Sequence, residues 1–166
     1  MFRIFKKIEI MKVLSVKQPW VYLIFANIKP IENRTWPCPK KYIGERILIH
    51  ASAKPDDRHR DMSLLFTKNQ WEKITIEKLE FYMSHGLWLY SSITGSVEII
   101  GCVLNHESLW ADKTNFMRGD KPIYNWILAN PILFDKPIKD IKGKLSFWEY
   151  ELPKEYEQEI ERKLKL

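Results

Sequence analysis

A chain of 166 residues that is 45% hydrophobic and 29% charged, with seven Trp, seven Tyr and eight Phe, has the apolar content of one packed domain and is too hydrophobic to be disordered. Two distant cysteines, four scattered histidines, no apolar run near the roughly 20 residues of a membrane helix and a start, "MFRIFKKIEIMK", without a signal peptide's apolar region argue against metal, membrane and export. The expectation is a reduced, cytoplasmic monomer with no cofactor and no metal. The net charge of +6 is uneven: residues 1–60 hold 13 Lys/Arg against 5 Asp/Glu, and the remainder 14 against 16. A positive field concentrated in this way favours polyanions through counterion release.

In chain order, "KVLSV" (12–16) is short and β-branched and reads as a buried strand. "QPWVYLIFANI" reads as a helix with Pro19 at its first position and Asn27 able to end it; being apolar nearly all round, it should be enclosed by protein. Residues 31–36 alternate as a strand that "WPCPKK" breaks. "ERILIHAS" (45–52) is a strand with Leu48, His50 and Ser52 on one face and Ile47, Ile49 and Ala51 on the other.

A charged loop, "KPDDRHRDMS", precedes about 20 residues of helical character from Leu64, for which Gly86 is a stop. "GSVEIIGCVLNHE" is a strand, "DKTNFMRGDKP" a loop, "IYNWILANPILF" a strand broken at Asn130–Pro131, and "KLSFWEYEL" a last strand. The tail places Tyr156, Ile160 and Leu164 on one helical face. Strands outnumber helices without regular alternation, which predicts an α+β fold with a curved sheet or barrel. No GxGxxG or GxxxxGK phosphate loop is present, which disfavours nucleoside triphosphate chemistry.

Three groups of residues could carry function. Lys17 and Gln18 sit where a strand becomes a helix, so their side chains and the free N–H groups of the helix start would face one space, with Trp20 as a stacking surface or core filler. Alternation puts Glu32, Arg34 and Trp36 on one strand face: an acceptor, a bidentate donor and an indole suited to a base, or else a solvated face. Lys29 beside them is a phosphate contact or, if desolvated, a proton-transfer group. His50 and Ser52 share a face suited to a sugar or phosphate; a nucleophilic pair lacks a GxSxG elbow, and a lone strand histidine is more often a core residue.

Taken in order, "LSVKQPW", the apolar helix, "IKPIENRTW", "ERILIHASAK", "GSVEIIGCVLNHE", "YNWILANPILFDKPI" and "KGKLSFWEYELP" resemble the ASCH (activating signal cointegrator homology) domain of the PUA-like superfamily, from about Met11 to Pro153. The resemblance implies a small mixed PUA-like β-barrel with flanking helices, an N-terminal extension over 1–10, the domain over 11–153 and a C-terminal helix over 154–166 packed on it. It also implies a cleft between the first helix, the ENR strand and the IHAS strand that binds RNA, another nucleic acid or a nucleoside-like small molecule. The ligand contacts would be Lys17, Gln18, Trp20, Glu32, Asn33, Arg34, Trp36, His50, Ser52 and Lys54. Some members resemble acetylcytidine amidohydrolases or ribonucleases. In the amidohydrolase pattern Lys29 and Arg34 match, but the nucleophilic threonine falls on Glu32, and a carboxylate cannot replace that hydroxyl. If the chain is an enzyme, Lys17, Lys29 and Glu32 are the candidate acid–base groups of a different hydrolysis.

Overall fold

The computed structural model describes residues 9–60, 62–74, 78, 80, 84 and 88–166. Its elements are β1 (Glu9–Val16), α1 (Trp20–Phe25), β2 (Ile31–Arg34), β3 (Arg46–Ala51), α2 (Met62–Leu65), α3 (Lys68–Trp71), β4 (Ser92–Leu104), β5 (Tyr124–Ile138), β6 (Phe147–Leu152) and α4 (Lys154–Leu164). Among the described residues the six strands form one sheet in the order β2-β5-β4-β3-β1-β6. The β1–β3 pair is parallel and the rest are antiparallel, so the sheet is mixed and the fold α+β.

Bulges curl this sheet into a half-barrel. Register slips occur at three places between β4 and β5 and at one, Ile49/His50, between β3 and β4; each extra residue bends its strand and increases the local twist. Gly95 adjoins one of these slips, and a Cβ there would stand 2.1 Å from the Ile132 carbonyl oxygen and 2.7 Å from the Phe25 ring. The curl brings the edge strand β2 toward the opposite end of the sheet. Side chains bridge the gap: Arg34 Nη2 donates to the Ser15 carbonyl at 2.7 Å, and the Trp36 ring meets Phe147 edge-on at 5.6 Å.

Period-2 alternation decides which face each strand residue covers. Leu14, Val16, Ile47, Ile49 and Ala51 join Trp126 in one apolar core, while Val13 and Leu48 point into a second with Trp148 and Ile160. The parallel pair is therefore buried on both faces, as such pairs generally are. Helix α1 is shorter than its apolar run: it starts at Trp20, one residue after Pro19, and ends before Asn27, whose φ of 58° is left-handed. Val21 to Phe25 are all buried, because α1 lies between the half-barrel and a third cluster that includes Leu65, Phe66 and Trp110.

The 20-residue helix expected from Leu64 is broken. The described part is α2 and α3, separated by Phe66 and by Thr67, whose hydroxyl accepts from the Gln70 N–H in a capping box that restarts the helix. Gly86 and most of the segment before it lie outside the described residues, as do residues 1–8; Glu9 and Ile10 already pair with Leu152 and Glu151 of β6. The break expected at Asn130–Pro131 is a bulge within a continuous strand, the β4–β5 register shifting between Ala129 and Ile132. Asn130 takes a φ of 47°, and β5 runs on through the bulges.

Helix α4 covers the stretch of β5 beyond β2. Lys163 Nζ donates to the Leu133 carbonyl at 2.7 Å and the Asp135 N–H donates to Glu159, so side chains satisfy a sheet edge that would otherwise be open. Its expected apolar face is only partly used: Ile160 is buried, whereas Leu164 is exposed. Cys38 and Cys102 are neighbours in space, the Cys38 N–H lying 3.3 Å from Cys102 Sγ; both are free thiols, and burial pushes Cys38 up to about 11. Among the described residues no helix is long and apolar enough to cross a membrane and no cluster of metal-ligating side chains occurs.

Candidate functional site

The parallel strands β1 and β3 end side by side, and beyond their carboxyl ends opens a cavity of about 900 Å³. Ser15, Lys17, Trp20, Glu32, Asn33, Arg34, His50 and Ser52 line one side of it, and the loop 140–146 lines the other. Four cations face it, Lys17, Arg34, Lys142 and Lys144, against the carboxylates of Glu32 and Asp140. Glu32 adds little free negative charge, because its two oxygens are taken: Oε1 lies 3.0 Å from Arg34 Nη2 and Oε2 lies 3.3 Å from Lys29 Nζ. The cavity is net positive and large enough for a nucleoside.

Behind Glu32, Lys29 is almost wholly buried. Its ammonium donates to the Ile31 carbonyl, pairs with Glu32 and lies 5.4 Å above the Trp20 ring. A buried pair of this kind is held by geometry rather than by net attraction, and removing one member leaves an uncompensated charge that costs about 3–5 kcal/mol. Trp20 is fixed from its other side, since its Nε1 donates to Asp56 Oδ2 at 3.1 Å and Phe66 meets the ring edge-on. Trp20, Glu32 and Asn33 thus form a wall between this cavity and a second one.

The second cavity, of about 410 Å³, is lined by Lys29, Asp56, Arg58, Gln70, Trp110 and Asp112 as well as by that shared wall. Most of its charges are spent on each other. Hydrogen bonding from Arg58 holds Asp56 down to about 2, and the two contact at 3.1 Å. Burial pushes the Asp112 carboxyl above its ordinary value, with Lys29 and Arg58 drawing it partly back.

Several expected ligand contacts belong instead to the scaffold. Gln18 is fully buried; its amide donates to the Leu89 carbonyl at 3.0 Å and its oxygen accepts from the Tyr22 N–H at 3.1 Å. It fixes α1 to the chain before β4 and has no free group for a ligand. Helix α1 has only six residues, too short for the anion-binding start expected there. Trp36 lies beyond the end of β2, edge-on against Trp126 at 4.6 Å and Phe147, and does not line the cavity. Lys54 is exposed and does not line the cavity. Asn33 lines the cavity, but both ends of its amide are used: Nδ2 donates to the Trp110 carbonyl, and Oδ1 accepts from Asp112 N–H and Asn125.

His50 is a joint rather than an exposed sugar contact. It is 1% exposed, faces Ser15 in the parallel register and has Nδ1 3.1 Å from Ser15 Oγ. On the other side its Nε2 lies 2.7 Å from the Ile141 carbonyl, which fixes the loop 140–146 over the cavity. Burial pulls its pKa below the ordinary imidazole value. Gly143 rests directly on this pair: a Cβ there would stand 2.7 Å from the His50 ring and 2.9 Å from Ser15 Oγ.

Ser15 and the 140–146 loop are the parts that sequence patterning did not nominate. The loop belongs to "DKPIKDIKGKLSFW", where lysines flank a glycine, but only the fold brings that segment across from Lys17. The domain is thus an α+β fold built on a curled mixed half-barrel, with a cation-rimmed cleft beyond a parallel strand pair. The ASCH domain profile matches residues 14–138, and the chain belongs to the ASCH family, whose members are generally thought to bind RNA.

Among solved structures the chain is similar to an ASCH protein from Zymomonas mobilis, with 16% identity, 91% of this chain and 93% of that one covered, and a TM-score of 0.47. A serine-to-alanine variant of the same protein matches with 16% identity, coverage of 91% and 94%, and a TM-score of 0.47. A tyrosine-to-phenylalanine variant matches with 17% identity, coverage of 91% and 96%, and a TM-score of 0.45. Among curated proteins none matches the sequence significantly.

Proposed function

We propose that the larger cavity binds single-stranded RNA through one nucleotide, or binds a modified nucleoside. The base enters between Trp20 and the loop 140–146, and the phosphates run along Lys17, Lys142 and Lys144. The observation that carries this reading is the charge arrangement: three exposed-rim lysines and Arg34 converge on a cavity of about 900 Å³ whose main carboxylate, Glu32, is already neutralised. Cations without internal partners are the ones that release phosphate counterions. Lys17 is close to this condition, since its one ion pair among the described residues is a 3.9 Å contact with an exposed Asp57. Ser52 and the backbone around Ala53 supply hydrogen-bonding groups for the sugar.

Hydrolysis with Lys29 and Glu32 as acid and base is less well supported, because each is locked by partners on the protein: Lys29 by the Ile31 carbonyl, and Glu32 by Lys29 and Arg34. The reading is tested by titrating the protein with single-stranded RNA at several salt concentrations, following tryptophan fluorescence. Affinity should fall steeply with salt, and Lys17→Ala should reduce the slope by about 1. A flat salt response would remove polyanion binding and leave the free nucleoside as ligand.

A further inference from the structure

The loop between β4 and β5, residues 105–123, is tightly tied and yet holds apolar side chains in water. Asn105 grips Thr114 from both sides: its amide donates to the Thr114 carbonyl at 3.1 Å, and its oxygen accepts from the Thr114 N–H at 2.7 Å. Further along, Asn115 Oδ1 accepts from the Met117 N–H at 3.0 Å, and Asp120 accepts from the Asn115 N–H at 2.9 Å. These bonds fold residues 116–118 into one tight turn, closed by Gly119 with a φ of 79°. At its tip Phe116 is 60% exposed and Met117 97%. Isolated apolar residues are ordinary on a surface. Two in succession on a turn that polar bonds already fix are different, because a ligand meeting them has little loop ordering left to oppose it.

The tip is also basic. Residues 113–121 carry Lys113, Arg118 and Lys121 against Asp120. Asp120 is occupied by the Asn115 N–H, and Lys113 donates to the His106 carbonyl. Arg118 and Lys121 are exposed and, among the described residues, make no ion pair. Both ends of the loop are joined to the larger cavity. The Asp112 N–H donates at 3.1 Å to Oδ1 of Asn33, which lines that cavity, and Phe116 follows four residues later, at most about 14 Å along the backbone. At the other end Tyr124 pairs with Arg34, a cation of the same cavity.

We propose that this tip is a second RNA subsite. A single strand with one nucleotide in the larger cavity continues past Asn33 and Arg34, stacks a further base on Phe116 and lays its phosphates against Arg118 and Lys121. The inference rests on the single-stranded RNA reading of that cavity. An aromatic face beside unpartnered cations is the usual platform for a single strand, and stacking on it tolerates any base. A protein partner fits less well, since a stable interface takes about 800 Å² from each side and a two-residue tip offers far less.

The test is calorimetric titration of the whole protein at low salt with oligouridylates of two and of eight nucleotides. Phe116→Ala should weaken binding of the longer strand about fivefold or more and leave the dinucleotide unchanged, and Phe116→Trp should bind both as the unaltered protein does. Arg118→Gln should lower the salt slope for the longer strand by about 1. Both side chains are exposed, so the variants should melt with the unaltered protein and a loss of binding is not a loss of fold. Unchanged binding of the longer strand by Phe116→Ala, or an equal loss at both lengths, overturns the subsite; in the first case the tip is left to a protein partner. Lys144→Ala separates the two readings. Binding that depends on Lys144 and not on Phe116 overturns the tip alone, binding that depends on Phe116 and not on Lys144 overturns the cavity reading, and no binding at either length overturns both.

Discussion

The two cavities share Trp20, Glu32 and Asn33 as a common wall, yet they differ in what their charges are doing. In the smaller one Asp56 is spent on Arg58, and Lys29 on Glu32. In the larger one Lys17, Lys142 and Lys144 face solvent across a neutralised Glu32. By number of charged lining residues the two are close, six in the larger and five in the smaller. Counting charges without partners separates a structural ion cluster from a binding surface, because only an unpartnered charge gains by meeting a ligand.

This contrast can be broken in a graded way. The largest effect is expected from the buried cluster: Lys29→Met should lower folding stability by about 3 kcal/mol in chemical denaturation, since Glu32 loses one of its two partners. Rim substitutions such as Lys142→Ala should leave stability within about 0.5 kcal/mol. Next comes the wall. Trp20→Ala should weaken single-stranded RNA binding by about 1–3 kcal/mol in a fluorescence-independent assay such as filter binding, and Trp20→Phe by less. A smaller effect is expected at the rim, where Lys144→Ala should reduce the salt slope by about 1 in the same assay.

The pH response marks the boundary between scaffold and site at His50. Its folded pKa is depressed by burial, so below the ordinary imidazole range of about 6.5 the unfolded chain takes up a proton that the folded one refuses. The associated stability is complete above that range and is lost as pH falls through it. Thermal melts should decline more steeply between about pH 7 and pH 5 for the unaltered protein than for His50→Gln. Equal slopes would show that His50 titrates alike in both states. Asp112 has the opposite sign: its raised pKa makes the folded state the stronger proton binder, so its contribution is present at acidic pH and is lost as pH rises, and Asp112→Asn should flatten that dependence.

Much of the fold was legible because period-2 alternation is local. The strand "ERILIHAS" divides Leu48 from Ile47 and Ile49, and the two cores receive them in that way. The apolar helix was legible as enclosed, since Val21 to Phe25 have no polar face to offer water. Trp36 and Gln18 were misread for a common reason. An indole or an amide is equally suited to a ligand or to a core, and only the curl that brings Trp126 and Phe147 to Trp36, or Leu89 to Gln18, decides between them. The pairing of Ser15 with His50 was not legible either. It depends on the register of two parallel strands 35 residues apart, which no local pattern encodes. The loop 140–146 is a wall of the cavity only because β6 runs antiparallel to β1 and carries it back across the end of β3.

The most direct measurement of the central claim compares single-stranded RNA affinity at low and moderate salt for the unaltered protein, Lys144→Ala on the larger cavity and Asp112→Asn on the smaller. Binding should weaken with salt, Lys144→Ala should lower both affinity and slope, and Asp112→Asn should leave both unchanged. A loss confined to Asp112→Asn, with Lys144→Ala binding as the unaltered protein does, would place the ligand in the other cavity and contradict that claim.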